Sequence, residues 1–220
     1  MLAMREAYTD QLDSILDDLV IMTHQVKRAV SRATVALLSG DAAVAEEVIS
    51  GDADIDSARE KIEEKSFELL ALQQPVAGDL RQLVAGLRMV AELERMGDLS
   101  VHIAKVARLR TPNIAVPESM EPMFRQMASV AQQMVSKVAV VIAERDVDEA
   151  AELERADEEM DKLRRKSFAK ILDEDWEYGV EPAIDIALLG RYYERIADHA
   201  VSLGRRVVFL VTGEHPVSED

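Results

Sequence analysis

Apolar side chains recur at intervals of three and four along almost the whole chain. From about Tyr8 to Leu38 the stripe runs through Leu12, Ile15, Leu16, Leu19, Met22, Val26, Val30 and Leu37, which is one face of a long helix. Ser39-Gly40-Asp41 then reads as a stop followed by a new N-cap. A second segment, about Asp41 to Gln73, keeps the stripe through Val44, Val48, Ile55, Ile62 and Leu69, with Gly51 as a weak point. Pro75 is expected in the first turn of a third helix that runs to about Arg110. Residues 111–117 hold two prolines in seven positions and mark a linker. The pattern then restarts as Met120 to Glu144, Asp146 to about Asp173, and Val180 to Thr212, with Gly213 as a C-terminal cap and a polar tail beyond.

Three helices, a linker and three more helices suggest duplication, and the residues support it. Glu94-Arg95-Met96-Gly97-Asp98 recurs 100 residues later as Glu194-Arg195-Ile196-Ala197-Asp198. Asp41, Asp52, Asp56, Arg59 and Lys61 recur 105 residues later as Asp146, Asp157, Asp161, Arg164 and Lys166. The expected fold is all-α: two tandem, pseudo-repeated antiparallel three-helix bundles in a spectrin-like arrangement, one over residues 1–113 and one over 114–220. Nine glycines and six prolines in 220 residues are too few for the turns of a many-stranded sheet, and strand-type alternation is nowhere sustained.

Charge and composition narrow the function. With 26 basic against 42 acidic side chains the net charge is −16, which argues against nucleic acid and against insertion into or binding to an anionic membrane. The chain has no cysteine, so thiolate catalysis, thiolate metal ligation and disulfides are excluded. The longest apolar runs, Val138 to Ala143 and Val207 to Val211, are far short of a bilayer span, and the first residues do not read as a signal peptide. A cytoplasmic protein is the expectation.

The candidate chemistry lies in the repeated acids. On a helical wheel, Leu80, Leu83, Leu87 and Ala91 form one line that continues through Glu94 and Asp98, and Ala187, Glu194 and Asp198 repeat it. Carboxylates on such a line need compensation. One remedy is ion pairing with Arg95, Lys105, Arg195 and Arg205, which would make the protein a metal-free helical scaffold. The other groups Asp52 and Asp56 with Glu94 and Asp98, and Asp157 and Asp161 with Glu194 and Asp198, as two four-carboxylate metal sites. All-oxygen donors suit hard cations such as iron, manganese or magnesium. Equal distances from the turn near Gln73 place Asp52 level with Glu94; the same count about Tyr178 matches Asp157 and Glu194 less well. His102, one turn past Asp98, could extend the acidic line, although a half-exposed histidine without that role is the simpler reading. His24, His199 and His215 are scattered, and the Glu-x-x-His pattern of di-iron bundles is absent, which counts against an oxidase. No phosphate-binding glycine loop and no activated nucleophile are present, so no catalytic residue is assigned.

The run Leu70-Ala71-Leu72-Gln73-Gln74-Pro75-Val76-Ala77-Gly78-Asp79-Leu80-Arg81, followed by the Glu-Arg-x-Gly-Asp segment and by Glu194-Arg195-Ile196-Ala197-Asp198-His199-Ala200, resembles the PhoU family of phosphate-uptake regulators. The resemblance covers nearly the whole chain. It implies a non-catalytic cytoplasmic regulator that restrains phosphate import and the phosphate-starvation response. Its partners would be the ATPase subunit of the phosphate ABC transporter and a sensor histidine kinase, which would bring it to the membrane periphery. It also implies metal binding at the acidic motifs, onto which Asp52, Asp56, Glu94, Asp98, Asp157, Asp161, Glu194 and Asp198 map. The asparagine that often follows those acids is missing, with Ser100, His102 and Ser202 in its neighbourhood. Long amphipathic helices make a homodimer the default assembly.

Overall fold

In the computed structural model, residues 2–73 and 75–214 are described, with side chains over 8–72 and 75–214. The chain forms six α-helices: α1 (Leu2–Ser39), α2 (Ala42–Gln73), α3 (Gly78–Arg110), α4 (Glu121–Glu144), α5 (Val147–Ile171) and α6 (Val180–Thr212). A single 3₁₀ turn, Glu118–Met120, leads into α4, and no strand occurs among the described residues. Within each half, three antiparallel helices pack on one another.

The helix boundaries follow from local chemistry. Gly40 takes φ +67° and its N–H donates to the Ala36 carbonyl at 3.0 Å, closing α1. Asp41 then caps α2 by accepting from the Ala43 and Val44 N–H groups at 2.9 and 3.1 Å. Asp146 does the same for α5, accepting from the Glu149 N–H at 2.9 Å, with Arg145 in the left-handed conformation where the first repeat has Gly40. Gly213, at φ +79°, ends α6 as its sequence position implied.

Two boundaries differ from expectation. Leu2 to Ala7 are already helical, because Leu, Ala, Met, Arg and Glu are strong helix formers that extend α1 beyond its apolar stripe. Pro75 lies before α3 rather than in its first turn: the Asp79 N–H donates to the Val76 carbonyl at 3.2 Å, and Ala77 at φ +47° turns the chain before the helix begins at Gly78. His215 and the polar tail lie outside the described residues.

α1 packs against α4, and α3 against α6, so these four helices form an inner layer that carries α2 on one flank and α5 on the other. The buried apolar residues form one continuous cluster that draws on every helix. α3 and α6 run antiparallel. At one end Arg110 grips the buried Asp185 through two hydrogen bonds of 2.6 and 3.0 Å and also pairs with Glu181. Near the middle, His199 Nδ1 lies 2.7 Å from Glu92 Oε2, and the His102 ring packs on Tyr192 with centroids 5.3 Å apart. The fully buried Tyr193 shares a 2.7 Å hydrogen bond with Thr34 of α1, which stitches the halves together in the core. Trp176 and Tyr178 pack edge to face in the loop before α6, where the indole N–H donates to the Gly179 carbonyl at 2.7 Å.

Helix approach depends on small residues at some positions and not at others. A Cβ on Gly204 would meet Leu153 Cδ1 at 2.9 Å and the Ala150 carbonyl at 3.3 Å, so the α5–α6 contact needs glycine there. A Cβ on Gly51 would meet nothing within 4 Å. Gly204→Val is therefore expected to destabilise the protein by roughly 1–3 kcal/mol. Gly51→Ala should stabilise it by about 0.5–1 kcal/mol through higher helix propensity. Denaturant midpoints that move the two variants in the same direction would contradict this account.

Candidate functional site: two carboxylate seams

The repeated acids meet along the seams between α2 and α3 and between α5 and α6. Helix periodicity puts Asp52 and Asp56 one turn apart on α2, and Glu94 and Asp98 one turn apart on α3. Across the seam Asp52 is influenced by Asp98, and a Cβ on Gly97, the residue before Asp98, would lie 3.6 Å from Asp52 Oδ1; Asp56 acts more weakly on Glu94. In the second half Asp157 is influenced most by Asp198, then by Asp161 and Glu194. The acids of each expected foursome face the same seam, and across it Asp52 and Asp157 are influenced by the later acid of the facing pair, Asp98 and Asp198. Asp52 and Asp157, repeat mates, thus both face the second acid of the opposite helix.

The line of the helical wheel also needs correction. The buried face of α3 runs through Leu83, Met89, Val90, Leu93, Met96, Gly97, Ser100, Ile103 and Ala104, while Leu80 and Ala91 are exposed and Leu87 is only partly covered. The expected line is offset from the buried face from its first residue, because α3 packs against α1, α2 and α6 and its buried face is set by those three neighbours. Glu94 and Asp98 thus flank the core at the seam rather than interrupt it. Glu194 is the exception and is buried. Gly97 lets the seam close: a Cβ there would lie 3.1 Å from Ile55 and 3.6 Å from Asp52 Oδ1.

Crowding of like charges in a partly dry groove alters the acids. Asp52 is raised above the usual carboxylate range, first by burial and then by Asp56 and Asp98, with Lys105 and His102 opposing. Glu94 is raised by burial and by Asp98, against Arg95 and Arg59. Asp157 is pushed up to about 6 by burial and by Asp198, Asp161 and Glu194. Partial burial also raises Asp198.

Some of the charge is neutralised internally, by partners the sequence only half identified. Arg95 reaches Glu94 at 3.6 Å and Asp98 at 3.3 Å, as expected. Arg205 instead pairs with Glu154 at 3.0 Å, although its charge still favours an ionised Asp157. The missed partners are Arg164, 3.0 Å from Glu194, and Arg191, which pairs with Glu194 and lies 3.9 Å from Asp198. Arg165 lies 3.7 Å from Asp161, and Arg59 4.0 Å from Asp56. Arg164 carried a signal in the sequence, since it is the repeat mate of Arg59; Arg191 did not, because Ala91 occupies its place in the first repeat.

Among the described residues, no group of three or more histidine, aspartate or glutamate side chains is placed to hold a metal ion. The donor chemistry nonetheless fits a hard cation, because every seam acid offers oxygen and several are held against their own repulsion. Asp157 Oδ1 is buried with no hydrogen-bond partner, so one strong acceptor faces inward unsatisfied. Asp52, Asp56, Glu94 and Asp98 would hold a cation at the first seam, and Asp157, Asp161, Glu194 and Asp198 at the second. The other histidines are set elsewhere: His199 pairs with Glu92, and His24 is exposed. No helix among the described residues is long and apolar enough to cross a membrane.

Fold and seams together define a class: all-helical proteins made from a duplicated three-helix unit with paired carboxylates between its second and third helices. The PhoU domain matches twice, over residues 19–107 and 124–207, one match in each half. The chain belongs to the PhoU family. It is 44% identical to the "phosphate-specific transport system accessory protein PhoU homolog 2" of Mycobacterium tuberculosis, over 97% of this chain and 100% of that protein. It is 42% identical to homolog 1 of the same organism, over 99% and 98% of the two chains. The crystal structure of PhoU from Pseudomonas aeruginosa superposes with a TM-score of 0.87 at 26% identity, covering 94% of this chain and 100% of that one.

The raised Asp157 predicts a sign for the pH dependence. Its folded pKa, near 6, exceeds the ordinary value of 3.8. The folded state therefore holds this proton more tightly, and the contribution to stability falls as pH rises from about 4 through 6. Asp157→Asn should raise stability by roughly 1 kcal/mol at pH 7.5, after allowance for partial solvent screening, and by little at pH 4. Thermal midpoints at the two pH values measure the difference.

Proposed function

We propose that the protein is a non-catalytic regulator of phosphate uptake that restrains import, and with it the phosphate-starvation response, when phosphate is plentiful. It works in the cytoplasm as an adaptor between the ATPase subunit of a phosphate ABC transporter and a sensor histidine kinase, meeting the membrane through these partners, and assembles as a homodimer. The observation that carries this reading is the PhoU match in both halves, together with relatives named as accessory proteins of the phosphate-specific transport system along their full length. The architecture suits an adaptor: long amphipathic helices give extended outer faces, and the net charge of −16 favours protein partners over nucleic acid.

Hard metal ions at the seams, iron, manganese or magnesium, give the adaptor its shape. A bound cation supplies positive charge that lets facing carboxylates approach, and it fixes α2 against α3 and α5 against α6. The chain's own residues do the remaining work: Gly97 admits the close approach, while Arg95 and Lys105 shield the ends of the first acidic row. Removing metal would loosen the outer helices without dissolving the shared core.

Deletion of the gene is expected to raise phosphate import and starvation-reporter expression in phosphate-rich medium by about tenfold or more, with the wild-type gene restoring both. Unchanged import and reporter in the deletion strain would refute the regulatory role. Co-purification of the chain with the transporter ATPase and with the kinase's cytoplasmic portion tests the adaptor, and metal analysis of untagged protein tests the ions.

A further inference from the structure

The two seams carry the same acids but different counter-ions. In the first repeat Arg59 is held by its own helix: it lies 3.1 Å from Glu63, 3.8 Å from Glu60 and 4.0 Å from Asp56. Glu94, with 23% of its side chain exposed, is left to Arg95, itself a solvent-facing residue. The repeat mate of Arg59 is Arg164, and there the restraints are gone. Glu60 is replaced by Arg165 and Glu63 by Phe168. Phe168 offers Arg164 a ring face, 5.2 Å from the guanidinium carbon, and Arg165 repels it. Arg164 crosses the seam to Glu194 at 3.0 Å. Arg191 meets the same carboxylate from the preceding turn of α6, where the first repeat has Ala91. Glu194 is correspondingly withdrawn, with 7% of its side chain exposed.

We propose that Arg164 and Arg191 are built-in counter-ions that stand in for a cation at Glu194 of the second seam, whereas Glu60 and Glu63 hold Arg59 on its own helix beside Asp56, short of Glu94, and leave Glu94 open to one. The cation half of this statement rests on the metal reading given above; the counter-ion half does not. Replacing two acids that hold an arginine by a ring and a like charge frees it to reach the glutamate of the facing helix, since its stem is long and its fork has donors to spare. A cation arriving at the second seam must displace two guanidinium groups from a buried carboxylate. At the first seam it meets Glu94, whose one direct arginine, Arg95, is mostly in water, and Asp56, which Arg59 only approaches at 4.0 Å. Cation affinity is therefore expected to differ between the seams by about tenfold or more, the first being tighter.

The test uses full-length protein and Mn²⁺ as the probe. In EDTA, Arg164→Gln should lower the thermal midpoint by about 4 °C or more, because buried Glu194 loses a counter-ion, and Arg59→Gln should lower it by less. In Mn²⁺ titrations, Asp98→Asn should remove the tighter site of the wild type and Asp198→Asn the weaker one. Glu63→Gln should weaken the first site by releasing Arg59, and Arg164→Gln/Arg191→Gln should strengthen the second. Equal Mn²⁺ affinities in the wild type, or a second site indifferent to loss of both arginines, would overturn the proposal while leaving metal binding intact. Equal thermal losses from Arg59→Gln and Arg164→Gln would overturn its counter-ion half. Absence of Mn²⁺ binding in every variant, with the EDTA difference preserved, would reject the metal reading and support the counter-ion assignment alone.

Discussion

Repulsion between carboxylates held face to face across an antiparallel helix seam is the constraint around which this molecule is arranged. Two helices joined by a short loop have a fixed register, so acids one turn apart on α2 must confront acids one turn apart on α3. The apolar cluster beneath keeps the helices together despite that repulsion. The close approach that Gly97 allows sharpens this contact, and raised carboxyl groups and short-range arginines are responses to it.

Much of this was legible in the sequence because helices declare themselves through periodicity and caps. Six helices, the capping role of Asp41 and Asp146, and the stop at Gly213 all follow from local chemistry that tertiary contacts did not override. The duplication was legible because the acidic motifs recur at constant offsets, which also placed the acids of each half on facing helices. Family resemblance led to the same group of proteins, and the matches in both halves now establish it.

What the sequence hid was geometry that depends on neighbours. Glu94 and Asp98 sit beside the buried stripe instead of within it, because the buried face of α3 is set by its packing against α1, α2 and α6 together. The facing pairs depended on how many residues lie between the helices, and Pro75 stands before α3 instead of inside its first turn. Arg191 as a partner of Glu194 could not be read at all, since a guanidinium three residues away on a helix is only sometimes close enough to count, and Arg164 arrives from another helix. The contrast between Glu63 and Phe168 is visible in the aligned repeats, but it acquires meaning only once the seam is seen.

The packing of α1 on α4 and of α3 on α6 brings each helix against its own repeat mate. Such isologous contact is self-complementary, and it closes after one partner. A third copy of the unit would find the matching surface already used, so this duplication is complete at two, unlike the stacked repeats of a solenoid that accept another unit at either end. The single chain has the contact logic of a symmetric dimer whose subunits have been joined by a linker. Joined in this way, its halves were free to diverge in their side chains while the shared interface kept them in one frame.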